Sequence, residues 1–270
     1  MDLNTIREVT RPSARSELPV WAAGDAWLAG GTWLFSEPQV HLNRLIDLTD
    51  LKWPALTIDA HGLSIAATCS IAELDAFACP PEWLAAPLFN QCCRAFLASF
   101  KIWKTATVGG NICMSLPAGP MISLTSALDG VCTIWQADGG ERKIAVADFI
   151  TGNQTNVLSR GDLLRQIDIP LEALKRRPAF RQISLTPVGR SAALLIGTID
   201  SSGSFALTVT ASTKRPVRLS FVKMPDAAEL REAITQAIPD PLYHDDVHGK
   251  PFWRKHMTLR LAEEIRGELA

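Results

Sequence analysis

Two adjacent-glycine turns constrain this chain more than any other feature. One is Ala29-Gly30-Gly31-Thr32, the other Thr107-Val108-Gly109-Gly110-Asn111. Each follows a short apolar run that reads as a strand, Ala26-Trp27-Leu28 in the first case and Ala106-Thr107-Val108 in the second. Paired glycines let a backbone turn sharply and leave no Cβ in the way of a ligand. Successive N–H groups in such a turn form a concavity that suits an anion. Two of them facing each other have the shape to hold both halves of a pyrophosphate. Two ordinary strand-ending turns are the competing explanation, since motifs this short also match by chance.

The chain has room for two modest domains around that pair: 270 residues, 47% apolar and 20% charged. A net charge of -1 gives no reason to expect nucleic acid or an anionic membrane as partner. No basic segment with an apolar core opens the chain, so no signal peptide is expected. No apolar run approaches the length of about 18 residues that a membrane span needs. Cys69, Cys79, Cys92, Cys93, Cys113 and Cys132 form no C-x-x-C pair, and the adjacency of Cys92 and Cys93 suits neither zinc nor a disulfide framework. They read as buried thiols of a cytoplasmic protein.

Taken in order, the first 24 residues are interrupted by Pro12 and Pro19 and have no clear helix. Trp27-Leu28-Ala29 reads as a buried strand and Ile46-Asp47-Leu48 as a second. Residues 56–58 and 63–67 bracket Asp59-Ala60-His61-Gly62 as a hairpin. Ser70 followed by Glu73 fits a capping box that starts a helix at Ile71. Apolar residues at 88, 89, 92, 96 and 100 predict one helix from Pro87 to Lys101, and Pro120 opens another through Leu128. Residues 131–136 and 142–146 pair around Asp138-Gly139-Gly140. The texture changes near 170–178. Four strand candidates follow, at 180–185, 192–199, 205–210 and 217–222, and then two amphipathic helices, 226–238 and 252–269. His244 and His248 have a metal-like composition on a loop, but two histidines alone do not make a site, and no metal is expected. No Walker lysine loop or nucleophile elbow occurs, so no catalytic side chain is assigned.

The order Ala-Gly-Gly-Thr, Thr-Val-Gly-Gly-Asn and Pro117-Ala118-Gly119 resembles the FAD-binding (medium) subunit of molybdenum hydroxylases. That family includes the medium subunit of carbon monoxide dehydrogenase and the flavin domain of xanthine dehydrogenase. Ala147-Asp148-Phe149, Gly161-Asp162-Leu163-Leu164, Ile167-Asp168-Ile169-Pro170 and Phe180-Arg181 continue the match, and Phe252-Trp253-Arg254-Lys255-His256 resembles the closing helix of such subunits. The resemblance implies an α+β fold: a two-part FAD-binding domain of the vanillyl-alcohol-oxidase/PCMH type over 1–172, with subdomains near 1–55 and 56–172. A small α+β domain over 173–270, with a three- or four-stranded antiparallel sheet, completes it.

The same resemblance implies FAD as cofactor. Trp27, Leu28, Ala29, Gly30, Gly31, Thr32 and Trp33, with Thr107, Val108, Gly109, Gly110 and Asn111, would bind it, and Leu164 and Arg181 would lie near the flavin ring. It further implies an electron-transfer subunit that works with an iron–sulfur small subunit and a molybdopterin-containing large subunit, passing electrons to NAD, oxygen or another acceptor. Relatives usually carry Asp at Trp33, Ser at Leu116, Asp at Pro120 and Lys at Arg181; the Pro120 departure weakens the expected adenosine contacts. A non-catalytic assembly subunit that has lost tight FAD binding is the alternative. A cell-wall precursor reductase with the same turns is a third reading, which the family-like C-terminal region disfavours.

Overall fold

The computed structural model describes residues 3–270. Three short strands, β1 (Glu8–Thr10), β2 (Asp25–Leu28) and β3 (Arg44–Asp47), form a parallel sheet with β3 at its centre. Among the described residues no α-helix precedes β2. Asp25 and Arg44 face each other across β2 and β3, and the Arg44 guanidinium donates twice to the Asp25 carboxylate, Nε at 2.9 Å. That hydrogen-bonded pairing holds the Asp25 carboxyl below its ordinary pKa, against the opposing effect of burial.

A second layer starts with the hairpin β4 (Leu56–Asp59) and β5 (Gly62–Ala66). Ser70 and Glu73 make the reciprocal capping box of α1 (Ile71–Asp75). The helix α2 (Pro87–Ala95) is shorter than the periodicity suggests. Phe96 leaves the helix with extended backbone, and a separate turn, α3 (Phe100–Trp103), follows. The Phe96 carbonyl released by the break accepts the Trp103 indole N–H at 3.1 Å. Next come α4 (Val108–Met114), α5 (Pro120–Ala127), the hairpin β6 (Val131–Trp135) and β7 (Glu141–Ala145), α6 (Val146–Phe149), the small pair β8 (Ile150–Gly152) and β9 (Thr155–Asn156), and β10 (Leu163–Pro170). β10 enters between the two hairpins, giving an antiparallel sheet ordered β4-β5-β10-β6-β7.

After α7 (Leu171–Leu174), β11 (Arg177–Ile183), β12 (Ala193–Ile199), β13 (Phe205–Thr210) and β14 (Val217–Phe221) form a four-stranded antiparallel meander. It is followed by α8 (Ala227–Ala237) and α9 (Pro251–Leu269). Alternation along β12 divides the packing. Ala193 and Leu195 face a core shared with α8 and α9, while Leu194 and Ile196 join the larger core beneath the five-stranded sheet. α5 lies in that larger core with every residue buried, and its Ser123 hydroxyl bonds to Thr210 on β13 at 2.7 Å. Asp129 strengthens the junction by pairing with both Arg176 and Arg218 at 2.6 Å.

Trp21, Trp27, Trp53 and Trp135 occupy the seam between the first two sheets. Trp21 packs on Trp27 at 5.1 Å with the rings tilted by 43°, and Trp53 meets Trp135 edge-on at 5.4 Å. Arg165 lies over Trp53 and Arg15 over Trp135. Trp27 and its neighbours are therefore half-buried rather than buried, because β2 is an edge strand resting on this seam. No helix among the described residues is long and apolar enough to cross a membrane.

Candidate functional site

β2 delivers the first glycine pair. Gly31 has φ +67, a conformation that L side chains rarely adopt. At Gly30 a Cβ would lie 1.7 Å from the Thr105 carbonyl oxygen and 3.2 Å from the Ala106 Cα. The first turn therefore rests directly on the backbone that leads into the second, and the two motifs meet in space. Among the described residues, the backbone N–H groups of residues 30 to 34 find no protein acceptor, while the carbonyls of Gly31 and Trp33 accept from Phe35 and Ser36. Nor does the Thr32 hydroxyl find a protein partner among the described residues. The result is a run of half-buried donors beside a surface without Cβ atoms, the make-up of an anion nest.

The second motif is built differently. Thr107 ends the extended segment as the N-cap of α4, and Val108 is already helical, which corrects the strand expected over Ala106-Thr107-Val108. Its N–H groups are used within the protein. Val108 donates to the Cys69 carbonyl at 2.8 Å and Gly109 to the Ala67 carbonyl at 3.0 Å. Gly110 donates to the Thr107 hydroxyl and Asn111 to the Thr107 carbonyl, each at 3.0 Å. The expectation that residues 107–111 offer a second set of N–H groups is therefore overturned for 108 to 111, because the cap and the crossing chain at 67–69 satisfy them first. A Cβ on Gly109 would lie 2.5–2.7 Å from Ala67. A Cβ on Gly110 meets only the Thr107 hydroxyl, at 2.9 Å, and otherwise open space. Asn111 accepts from the Met121 N–H at the start of α5, which leaves its amide N–H groups without a protein acceptor among the described residues.

Beyond Trp33 lies a cleft of about 330 Å³ between the first two layers and the C-terminal sheet. Trp33, the segment Leu116–Ala118, Arg190, His244 and Asp246 form its walls, with Arg254 behind them. Arg254 is 1% exposed and makes four hydrogen bonds. It donates to the carbonyls of Gly249, Ala192 and Ala211 and to the Asp246 carboxylate, tying together the loops that make the cleft. His244 Nε2 lies 3.3 Å from the other Asp246 oxygen. Burial lowers the His244 pKa, and Asp246 opposes that shift only in part.

Residues 9–172 match the FAD-binding domain family of molybdopterin dehydrogenases. The chain belongs to that family. It is 25% identical to the caffeine dehydrogenase subunit beta of Pseudomonas sp. (strain CBB1), over 79% of this chain and 74% of that protein. Its fold is that of the carbon monoxide dehydrogenase chain from Oligotropha carboxidovorans, with a TM-score of 0.82 and 21% identity over 97% and 98% of the two chains. The quinoline 2-oxidoreductase chain from Pseudomonas putida 86 gives 0.79 and 17% over 98% and 96%. The cofactor of this molybdopterin-dehydrogenase flavin chain is FAD.

The residues present fit that cofactor, one part better than the others. The free N–H run at 30–34 suits the pyrophosphate, and Thr107 N–H, Thr32 and Asn111 Nδ2 are neighbouring donors without protein acceptors among the described residues. Trp27 donates its indole N–H to the Asp162 carbonyl at 2.9 Å, and the Leu28 side chain lies against Gly31, so both support the turn from below. Ala29 packs beside them in the small tryptophan-seam core. Trp33 and Leu116, two of the departures from the usual pattern, converge on the cleft and give it an apolar side opposite Arg190, His244 and Asp246. The third, Pro120, is buried at the first position of α5.

Leu164 and Arg181 do not line this cleft. Leu164 is 2% exposed in the larger core, where a bulge between Leu164 and Gln166 turns it inward. Arg181 shares the face of β11 that packs on α9 and forms ion pairs with Glu264 at 3.3 Å and Glu268 at 2.6 Å. The cations that do line the cleft are Arg190, His244 when protonated, and the buried Arg254. Arg254 was within reach of the sequence through the Phe252–His256 resemblance; the stretch around His244 stood out only for a metal-like composition, and Arg190 carried no local signal. No group of His, Cys, Asp or Glu among the described residues has the arrangement of a metal site.

Proposed function

We propose that this chain is the electron-transfer flavoprotein subunit of a cytoplasmic molybdenum hydroxylase complex of the xanthine dehydrogenase, aldehyde oxidase or carbon monoxide dehydrogenase type. It takes electrons from an iron–sulfur small subunit and passes them to NAD, oxygen or another acceptor, while a molybdopterin-containing large subunit oxidises the substrate. Residues 1–172 hold the cofactor, as subdomains near 1–55 and 56–172, and residues 173–270 close the cleft. The observation that carries the reading is the run of free N–H groups at 30–34, pressed by Gly30 onto Thr105.

Each group has a separate task in this reading. The nest binds phosphate through backbone dipoles alone and needs no side-chain charge. Bound FAD supplies a carrier for single electrons or hydride. Trp33 offers an aromatic wall, and the loops fixed by Arg254 keep the cleft formed before any ligand enters. All six cysteines are free thiols, and burial pushes those of Cys69, Cys93 and Cys113 up to about 12, which fits a reducing compartment. The purified chain is expected to show flavin absorption in the visible and to release FAD on denaturation. A colourless, folded chain that does not take up FAD on titration would show the assembly-subunit reading to be the right one.

A further inference from the structure

We propose that the segment 97–104 is the docking surface for the electron-donating partner, a protein that presents an apolar patch rimmed by carboxylates. The proposal rests on the electron-transfer reading above. Leu97, Phe100 and Ile102 are 49%, 68% and 37% exposed, a concentration of large apolar side chains on the outside of the chain. The stretch that carries them is held firmly. Phe96 and Trp103 pack against the larger core, the Trp103 indole donates to the Phe96 carbonyl, and the Ala106 N–H donates to the Ile102 carbonyl at 2.7 Å. Phe100 thus points outward from an anchored turn.

Charge narrows the occupant. Between Trp83 and Leu128 the sequence contains no Asp or Glu, and its charged residues are Arg94, Lys101 and Lys104. All three are exposed, none takes part in an ion pair among the described residues, and the Lys104 ammonium lies 5.9 Å from the Phe100 ring centre. The neighbouring α1, which packs on α3, carries Glu73 and Asp75, but Glu73 is spent on its capping box and Asp75 accepts from Asn90. The unpaired charges here are therefore the cations, and carboxylates around an apolar contact are their complement. A second copy of the chain is a poor occupant, since a two-fold contact would set Lys101 and Lys104 against their own copies. A lipid surface is poor as well, because α3 spans four residues and offers no amphipathic helix. Position completes the argument. The Thr105 carbonyl at the end of this stretch is the atom on which Gly30 rests, so a partner seated on Phe100 stands beside the phosphate nest.

The test is to purify the tagged chain from its own cell and measure FAD, iron and acid-labile sulfide per chain. The unaltered chain is expected to carry all three. Phe100→Glu, and the double variant Lys101→Glu/Lys104→Glu, are expected to keep FAD and their melting temperature while iron and sulfide fall at least about tenfold. Phe100→Leu is expected to retain them. Variants that keep FAD, iron and sulfide alike overturn the docking site and leave the electron-transfer reading standing. An unaltered chain with FAD but no iron overturns both. Binding of the purified chain to phosphatidylglycerol vesicles, lost in the double lysine variant, assigns the patch to a membrane and overturns the protein partner.

Discussion

The turn at Gly30-Gly31 and the helix start at Gly109-Gly110 carry the same dipeptide, yet their backbones are committed to different partners. In the first, the N–H groups of residues 30 to 34 are free and the carbonyls are engaged. In the second, the N–H groups of residues 108 to 111 are taken by Cys69, Ala67 and Thr107. Gly109 is a packing glycine that lets α4 sit on Ala67, whereas Gly110 borders open space. The pair teaches that a glycine motif specifies close approach, while what approaches depends on which donors remain unspent. In the proposed function the first turn is the one that receives the ligand, and the second mainly holds the first in place.

That division is breakable. The largest effect is expected at the contact between the two turns. Gly30→Ala puts a methyl into the Thr105 carbonyl, so backbone must move; a loss of about 3 kcal/mol in urea unfolding is expected, together with loss of FAD. An unfolding midpoint equal to that of the unaltered chain would show that the turns do not rest on each other. Gly110→Val comes next and separates binding from folding. Its side chain enters open space next to Thr107, and replacing a helical glycine offsets part of any strain. Stability within about 1 kcal/mol and FAD affinity reduced about a hundredfold, or 2.7 kcal/mol, are expected. Flavin fluorescence titration measures the second, and undiminished affinity there would remove α4 from the site altogether.

A smaller effect is expected at the strand that presents the first turn. The Asp25 carboxyl has a lowered pKa in the fold, chiefly through its hydrogen bonds from Arg44. Its contribution is therefore full above the unfolded value of about 4 and is lost as pH falls through the lower folded value. Asp25→Asn is expected to cost about 2 kcal/mol at neutral pH and to flatten the pH dependence in that acidic window. Parallel pH profiles for the two proteins would contradict the assignment. The smallest effect belongs to Arg181→Gln. Its exposed pairs with Glu264 and Glu268 are worth at most about 1 kcal/mol, and the visible spectrum and reduction potential of the bound flavin are expected to stay unchanged. A shifted potential would return Arg181 to the flavin site.

Local chemistry in the sequence was enough for a large part of this protein. The capping box at Ser70 and Glu73, the hairpin turns, the meander of β11 to β14, the helix at Pro120 and the glycine pairs themselves depend on neighbours a few positions away, and each forms where those neighbours dictate. The family membership rests on the same linear order of motifs. Tertiary structure alone decided the rest, because it turns on atoms supplied from elsewhere in the chain. The Ala67 and Cys69 carbonyls, not anything in 107–111, occupy the second turn's donors. A single bulge in β10 sends Leu164 into the core, since one extra residue reverses which face a side chain occupies. Pairing with α9 commits the Arg181 guanidinium to Glu264 and Glu268, and the cleft brings Trp33, Leu116, Arg190 and His244 together through loops pinned by Arg254. Sequence spacing carries periodicity and capping; it does not carry which donors stay free or which distant walls meet.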